Sequence, residues 1–520
     1  MSLTKVTNSM ILGATYSPYD YGTIGGGADS AAINAAIAAA SVNGGIVQLD
    51  AINYIVTDPI ILASNVTLCG MGIDKTIITQ TGTNAGWFVK SGSAVVGTPS
   101  AGTYDNVHVA DLTFQGLYVT PVPDGSTGAY AKSGVVLANC QNSSITNVKT
   151  SDTGIGIEMY GTIGGVVRYN NVIRDCIALN ASSWESAGNP GTPRGIVMYS
   201  DYSLVDNCLA SGCYTAFYPA GTYTKFTNCV ASDWQDNGYY VNGVNMTIDN
   251  CTASISASGS GFRFNPGEGN IVSNCHAYEC PNSGFILHLN VNKCIFSNNS
   301  AVACGYGFYT DLIAGTYPAG ICYGNVFTGN KAEANDLSGF RFDWAQDSTF
   351  VGNVAINNNQ TGVTLSTRGG IGLGQYCMGW RIDSNVCVDT QGVPTQTFGL
   401  YSYTASVSGA ATENTGNVIY HKSVSGTDQF YPQTTSGTVS TTITSGTKVK
   451  IGSVSFPMAF ESAPVIVAGI QTSTVLADNE RPATVNVYSV TTSGFSYAVD
   501  SLIAVAADRA LVIGWTASVT

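Results

Sequence analysis

Apolar and polar residues alternate in short runs along most of the chain, and glycine and asparagine interrupt these runs at regular intervals. An alternation with a period of two is typical of strands whose side chains point to opposite faces of a sheet. One run recurs as a glycine followed by an aromatic or aliphatic residue, any residue, and another apolar residue. Its copies begin at Gly156, Gly238, Gly261, Gly284, Gly307, Gly339 and Gly362. The pattern therefore predicts many short strands separated by turns.

An asparagine lies ahead of most of these runs and reveals an internal repeat. Asn207, Asn228, Asn250, Asn274 and Asn298 follow one another at steps of 21, 22, 24 and 24 residues. The same alignment places Asn147, Asn330, Asn353 and Asn385 at this position, and two steps of 32 residues indicate loops inserted into single repeats. A coil of about 22 residues built from short strands predicts one rung of a parallel β-helix, stacked roughly 4.8 Å from the next.

Each repeat asparagine is predicted to occupy a sharp bend. Apolar residues lie two positions before it and one and three positions after it, and only a bend lets both sets point inward. Asparagine tolerates the left-handed backbone that such a bend requires. In four repeats the next residue is cysteine, at Cys208, Cys229, Cys251 and Cys275. We expect these thiols to stack in the core as small hydrophobes, since rung spacing is too wide for disulfides and no metal-ligand motif accompanies them.

The two ends of the chain differ from the repeats. Residues 29–41 carry a possible Asp/Ser N-cap, with Ile33 and Ile37 at helical spacing, and predict a short helix over the open end of the β-helix. The C-terminal segment alternates again after a stretch rich in Ser, Thr and Gly. The predicted organisation is therefore an entry segment with its capping helix (1–43), a parallel β-helix (44–422), a linker (423–447) and a C-terminal β-sandwich (448–520).

Composition narrows the possible partners. Only 10% of the residues are charged and the net charge is −13, with no Lys/Arg cluster, so nucleic acid is not an expected partner. No apolar run is long enough for membrane insertion. No secretory signal opens the chain. We expect an all-β protein that needs no metal or other cofactor.

One face of the predicted coil carries unusual side chains. In the glycine-led strands the first and third residues after glycine are apolar and must face inward, so the second and fourth face outward. The outward set comprises Glu158, Tyr160, Tyr240, Asn242, Arg263, Asn265, His288, Tyr309, Asp311, Arg341 and Asp343. Aromatic rings beside Arg, His and carboxylates are suited to grip sugar rings by stacking and bidentate hydrogen bonds.

The N-terminal segment resembles a known family. The runs SLTKVTNSMI, YDYGTIGGGADSAAINAAIAAA and SNVTLCGMGIDKTII resemble the entry into the β-helix of phage tailspike depolymerases, in the pectate-lyase-like superfamily of right-handed β-helices. The family's usual Pro-x-Gly is replaced by Asp50-Ala51-Ile52, and no N-terminal particle-binding domain is recognisable, which implies indirect attachment or a truncated chain. The spacing of Phe456, Phe460, Pro464, Phe495 and Trp515 resembles an H-type lectin sandwich.

The resemblance implies a homotrimer on the virion that binds and depolymerises a bacterial capsular polysaccharide or O-antigen by endo-glycosidic hydrolysis. Its other partners would be the phage tail or another tailspike. A polysaccharide lyase and a non-catalytic receptor-binding spike remain the alternatives. The C-terminal sandwich is expected to hold the trimer together or to bind carbohydrate.

Catalysis over the outward face requires carboxylates. Asp311 and Asp343 would lie on neighbouring rungs, roughly 5 Å apart, near the separation in retaining glycosidases. The alternative is that Asp343 only pairs with Arg341 on the surface, and His288 beside Tyr309 and Arg263 would suit a lyase. Glu268 is a further acid, with Asp201, Asp233 and Asp236 in reserve. The predicted substrate-binding residues are Arg263, His288, Tyr309, Arg341, Tyr240 and Trp234.

Overall fold

The computed structural model describes most of the chain. The described residues are 13–81, 89–91, 103–116, 133–160, 169–181, 193–310, 321–361, 369–374, 377, 379–391, 395–396, 398–402, 413–415, 418–421, 434–456, 463–471, 482–501 and 508–518. No helix in this part of the chain is long and apolar enough to cross a membrane.

Parallel strands stack into a coil with three faces. One face is a sheet of 13 parallel strands, called here the long-strand sheet. Its strands are Ile60–Leu62, Val89–Ser91, Ser133–Ala138, Ile155–Tyr160, Arg194–Met198, Thr215–Pro219, Asn237–Val241, Ser260–Phe264, Ser283–Leu287, Tyr306–Thr310, Phe340–Phe342, Gly369–Leu373 and Phe398–Ser402. Each strand pairs with the one a single rung away, as the repeat predicts.

The other two faces form a 27-stranded sheet of shorter strands, because His108–Gln115 and Ser144–Ser151 span both. The first column adds Ala14–Tyr16, Gly45–Gln48, Val66–Cys69, Val172–Arg174, Leu204–Asp206, Lys225–Thr227, Thr247–Asp249, Ile271–Ser273, Ile295–Ser297, Val326–Thr328, Thr349–Val351, Arg381–Asp383 and Glu413–Thr415. The second adds Asn53–Val56, Ile77–Gln80, Ile177–Leu179, Leu209–Ser211, Val230–Ser232, Thr252–Ser254, His276–Tyr278, Ser300–Val302, Lys331–Glu333, Val354–Ile356, Val386–Asp389 and Val418–His421.

Short pairs of parallel strands mark the corner between the long-strand sheet and the first column. They are Tyr104–Asp105 with Cys140–Gln141, Gly267–Glu268 with Val291–Asn292, and Cys322–Tyr323 with Ala345–Gln346. The predicted all-β parallel β-helix is thus confirmed. One strand differs: the run beginning at Gly362 lies outside the described residues, and the strand of that rung is Gly369–Leu373.

The predicted N-terminal helix spans Ser30–Ser41 and packs against the first strands. Ile33 and Ile37 point into the same core cluster as the first rungs. The Asp29 side chain does not cap the helix; its carboxylate instead accepts backbone N–H bonds from Gly25 and Ile55, both at 2.8 Å. Asp29 therefore ties the helix to the first rungs.

Aromatic rings stack along the core at the spacing of the rungs. Phe217, Tyr239, Phe262, Phe285, Phe308 and Phe340 lie on the inward side of the long-strand sheet. Successive ring centroids are 4.5–4.8 Å apart. The stack explains why the apolar residue after Gly238, Gly261, Gly284, Gly307 and Gly339 is aromatic.

The bends are left-handed, as predicted, but the asparagine alignment changes within the coil. Asn207, Asn228, Asn250, Asn274 and Asn298 have φ of 51–55°. In later rungs the left-handed residue is Gly329, Gly352 or Ser384, one position before the asparagine. The alignment of Asn330, Asn353 and Asn385 with Asn298 is therefore wrong by one residue; their partner is Asn299.

The core column that begins with cysteine consequently continues as an amide ladder. Cys275 N–H donates to Asn299 Oδ1 at 2.9 Å. The Asn299 amide donates to Asn330 at 3.0 Å, Asn330 to Asn353 at 2.9 Å, and Asn353 to Asn385 at 3.1 Å. All fourteen cysteines are free thiols.

The C-terminal segment forms antiparallel sheets with their own hydrophobic core. One sheet contains Thr434–Ile443, Val465–Gln471 and Arg509–Ser518; the other contains Val449–Ser455, Pro482–Tyr488 and Gly494–Ser501. Because Thr434–Ile443 pairs along its whole length with Arg509–Ser518, the predicted linker 423–447 is wrong from residue 434 onward. Phe456, Phe495 and Trp515 pack together in this core, whereas Phe460 lies outside the described residues. The lectin resemblance stays a prediction.

Candidate functional site

The register of the long-strand sheet aligns outward side chains into a continuous row. One position per rung gives Glu158, Val197, Tyr218, Tyr240, Arg263, Ile286, Tyr309 and Arg341. A second row, two residues further along each rung, includes Tyr160, Asn242, Asn265, His288 and Asp343. These two rows are called the outward ladder.

Four tyrosine rings form two stacked pairs along the N-terminal half of this ladder. Tyr160 and Tyr199 lie 4.7 Å apart, centroid to centroid, and are parallel within 5°. Tyr199 lies 5.4 Å from Tyr218, which stacks on Tyr240 at 5.3 Å. The four rings are called the tyrosine stack.

Polar side chains fix the tyrosine hydroxyls. Arg194 Nη1 donates to the Tyr199 hydroxyl at 2.6 Å, and its guanidinium carbon lies 3.6 Å from the Tyr218 ring centroid. Asn242 Nδ2 donates to the Tyr218 hydroxyl at 3.1 Å. Rings that are stacked and also hydrogen-bonded at their edges are held rigidly, which reduces the entropy lost when a ligand binds.

Glu158 lies in the row beside the tyrosine stack and is only 1% exposed. Its neighbours in register on the two adjacent rungs are Val136 and Val197, both buried. This burial raises the pKa of the Glu158 carboxyl to about 7, although a Tyr160 hydrogen bond and the nearby Arg194 charge act in the opposite direction. Glu158 Oε1 has no hydrogen-bond partner among the described residues.

A neutral carboxyl with one free oxygen is the state that a general acid needs near neutral pH. The sequence predicted that Glu158 faces outward but did not indicate a catalytic role for it. The signal was present, because the aligned strands put valine on both sides of the glutamate.

In the C-terminal half of the ladder the carboxylate forms an ion pair. Arg341 Nε donates to Asp343 Oδ2 at 3.0 Å, and Arg341 Nη2 donates to Asp343 Oδ1. Both side chains are largely buried, and Tyr309 nearby stacks on Tyr306 at 4.4 Å. His288, one rung before Tyr309, is buried. The structure thus shows the ion pair considered as the alternative for Asp343.

The two halves are far apart. Seven register steps separate the rung of Glu158 from that of Arg341. At about 4.8 Å per rung, the distance is roughly 34 Å. Glu158 and Asp343 therefore cannot act on one glycosidic bond.

The remaining predicted residues have varied environments. Arg263 and Tyr240 lie together in the ladder, with the Arg263 guanidinium carbon 5.5 Å from the Tyr240 ring centroid. Asp311 lies outside the described residues, so its separation from Asp343 stays a prediction. Glu268 is not brought into the ladder; it lies in a corner strand pair and binds Lys293 Nζ at 2.5 Å. The proposed stacking role of Trp234 is wrong, because its side chain is 0% exposed and lies in the core.

The three reserve aspartates lie at bends or strand ends. Asp201 Oδ1 accepts the backbone N–H of Thr222 at 2.7 Å, Asp233 is a left-handed bend residue, and Asp236 Oδ2 accepts a hydrogen bond from Asn237 at 2.6 Å. Burial raises the pKa of Asp236. Within the described residues no group of three or more His, Cys, Asp or Glu is placed to hold a metal ion.

Two family models match the coil. Residues 19–237 match the model described as rhamnogalacturonase A/epimerase, pectate lyase-like, and residues 216–375 match the right-handed β-helix region. The fold is thus a parallel β-helix, and over these residues the chain is similar to right-handed, pectate-lyase-like β-helices. No curated protein matches the sequence.

Solved structures with the same fold include a phage tailspike, which confirms the predicted fold. The tailspike of Escherichia coli bacteriophage HK620, solved with a pentasaccharide, is 12% identical, with a TM-score of 0.57 over 97% of this chain and 94% of its own. The catalytic unit of a GH87 α-1,3-glucanase from Streptomyces thermodiastaticus is 16% identical, with a TM-score of 0.51 over 78% of this chain and 69% of its own. At these identities the likeness concerns the fold.

Proposed function

We propose that this protein is a phage tailspike that binds and cuts a bacterial surface polysaccharide, either a capsule or an O-antigen. The observation that carries the proposal is the outward ladder: rigid tyrosine rings, arginines and two differently held carboxyl groups on one face of a β-helix. Rings with a polar edge suit pyranose units, which have apolar faces and hydroxyl rims. A ladder of roughly 34 Å matches an extended polymer better than a small molecule.

The chemistry that the ladder supports best is glycosidic hydrolysis with Glu158 as the proton donor. Burial beside the valines of the adjacent rungs raises the pKa of its carboxyl to about 7, and its buried Oε1, next to the tyrosine stack, has no protein partner among the described residues. Protonation of the leaving oxygen is the step that an acid with a raised pKa performs in glycosidases. Asp343, held by Arg341, would instead bind the polymer further along the ladder. The Asp311–Asp343 pair is the second candidate for the catalytic acids.

The proposed assembly is a homotrimer carried on the virion, joined to the phage tail or to another tailspike. The similar fold of a phage tailspike supports it. Sedimentation at micromolar concentration tests the assembly, because a trimer of this 54.0 kDa chain is well separated from a monomer. A monomer at that concentration would exclude it.

Mass spectrometry of oligosaccharides released from purified host polysaccharide tests the reaction. Hydrolysis leaves fragments that carry an added water, and this is the expected result. Fragments lacking that water identify a lyase and turn attention to His288 and Tyr309. Intact polymer that still binds the protein identifies a receptor-binding spike without catalysis.

A further inference from the structure

At the corner between the long-strand sheet and the first column, the rungs that the structure describes turn through one residue with a left-handed backbone, which is Lys293 in one rung and Asp347 in another. In most rungs this residue is asparagine or glycine, as at Asn142, Asn170, Asn245, Gly269 and Gly324. In two consecutive rungs it is a tyrosine: Tyr202 has φ of 47° and Tyr223 has φ of 55°. A bulky side chain is strained in this region, whereas asparagine and glycine tolerate it.

These two residues, called the corner tyrosines, do not gain burial in return. Tyr202 is 59% exposed and Tyr223 is 48% exposed. Their rings stack on each other, with centroids 5.0 Å apart and planes 18° apart. The fold thus holds a pair of solvent-facing rings at positions where its own stability favours asparagine.

The corner tyrosines adjoin the tyrosine stack. Tyr202 lies three residues after Tyr199 in the same rung, and Tyr223 lies five residues after Tyr218 in the next. Asp201 precedes Tyr202, and its Oδ1 accepts the backbone N–H of Thr222, which fixes a carboxylate beside the rings. A polymer bound along the tyrosine stack can therefore continue round this corner.

We propose that the corner tyrosines are a second carbohydrate subsite that binds one or two pyranose rings of the same polysaccharide by stacking. This inference rests on the proposed function and adds a place where the polymer is held outside the outward ladder. An exposed aromatic pair with a carboxylate alongside suits a sugar, which offers both an apolar face and hydroxyl donors.

The test uses the double variant Tyr202→Asn/Tyr223→Asn in the full chain. Asparagine relieves the backbone strain, so the variant should unfold at the same temperature as the wild type or higher. Its affinity for intact host polysaccharide should fall about tenfold, since two stacking contacts are lost. Tyr278→Asn is the matched control, because Tyr278 is an exposed tyrosine on the second column, and it should leave affinity unchanged.

Each outcome decides between explanations. If the wild type binds the polysaccharide and the double variant binds it equally well, the subsite is excluded and the proposed function stands. If the wild type binds no host polysaccharide, the proposed function fails and the subsite fails with it. If the double variant loses subunits in sedimentation while Tyr278→Asn does not, the corner tyrosines are a contact between copies of the chain, and the inference is overturned.

Discussion

Each end of the outward ladder has a carboxyl group on the same sheet face, but the surroundings of the two groups differ. Glu158 has a valine on each adjacent rung, and burial raises the pKa of its carboxyl to about 7, so that a large fraction stays protonated near neutral pH. Asp343 has an arginine two residues away in its own rung and forms an ion pair with it. In a stacked coil, the chemistry of an outward residue is therefore set by its neighbours along and across the rungs rather than by its position alone.

The largest effect expected from this comparison is on cutting. Glu158→Gln keeps the shape of the neutral carboxyl but has no proton to give, so kcat should fall at least a hundredfold with little change in KM. Asp343→Asn should mainly raise KM, because Arg341 loses its charged partner and the sugar contacts there change. Steady-state kinetics of fragment release from host polysaccharide measure both.

An exchange of behaviour between the two variants would contradict these roles. A Glu158→Gln protein that cuts at the wild-type rate, together with an inactive Asp343→Asn protein, would move catalysis to the Asp311–Asp343 pair. Circular dichroism of both variants controls for loss of the fold.

A smaller effect is expected on stability as the pH changes. Because the pKa of Glu158 is raised from 4.5 to about 7, the folded state keeps a proton that the unfolded state releases between these values. The free energy of unfolding should therefore fall as pH rises from about 4.5 and level off above 7, by roughly 3 kcal/mol in all. Urea unfolding of the wild type and of Glu158→Gln at pH 5 and pH 8 measures it. The stability gap between the two proteins should shift in favour of the variant at pH 8; a gap independent of pH would contradict the raised pKa.

The smallest effect concerns Arg194. Its positive charge lowers the pKa of Glu158, so Arg194→Gln should raise that pKa further. Activity that depends on a protonated Glu158 falls above its pKa, near pH 7 in the wild type, and this alkaline limb should move up by less than about one pH unit. Arg341→Gln, at the other end of the ladder, should leave the limb in place. If the alkaline limb shifts in both variants, or in neither, then the limb does not report the titration of Glu158.

The sequence predicted the features that depend on local repetition. The left-handed bends from Asn207 to Asn298, the glycine-led strands from Gly156 to Gly339 and the Ser30–Ser41 helix follow from residues within one rung, and the structure shows them. Features that depend on the neighbouring rung were harder to predict. Both the alignment of Asn330 with Asn299 and the burial of Glu158 follow from register, which a single repeat does not contain.

Trp234 is a second residue whose environment could not be predicted from a single repeat. It follows a bend, at a position that is Cys213 one rung earlier and Cys280 two rungs later, and all three side chains lie in the core. The sequence predicted Trp234 to bind substrate, but the column through the rungs identifies it as a core residue. The equivalent positions in successive rungs predict the orientation of a side chain better than its neighbours in sequence do.

The change from thiols to amides along the core column has a consequence for how the coil is assembled. Buried cysteines are interchangeable, so rungs from Cys208 to Cys275 would tolerate docking against the wrong neighbour. From Asn299 to Asn353 each buried amide donates to the carbonyl oxygen of the next asparagine. If one of these rungs docked in that direction against a rung with cysteine in this column, its amide would lose this partner in the interior, which is strongly unfavourable. The amide column thus favours pairing of the C-terminal rungs with one another over pairing with the thiol rungs.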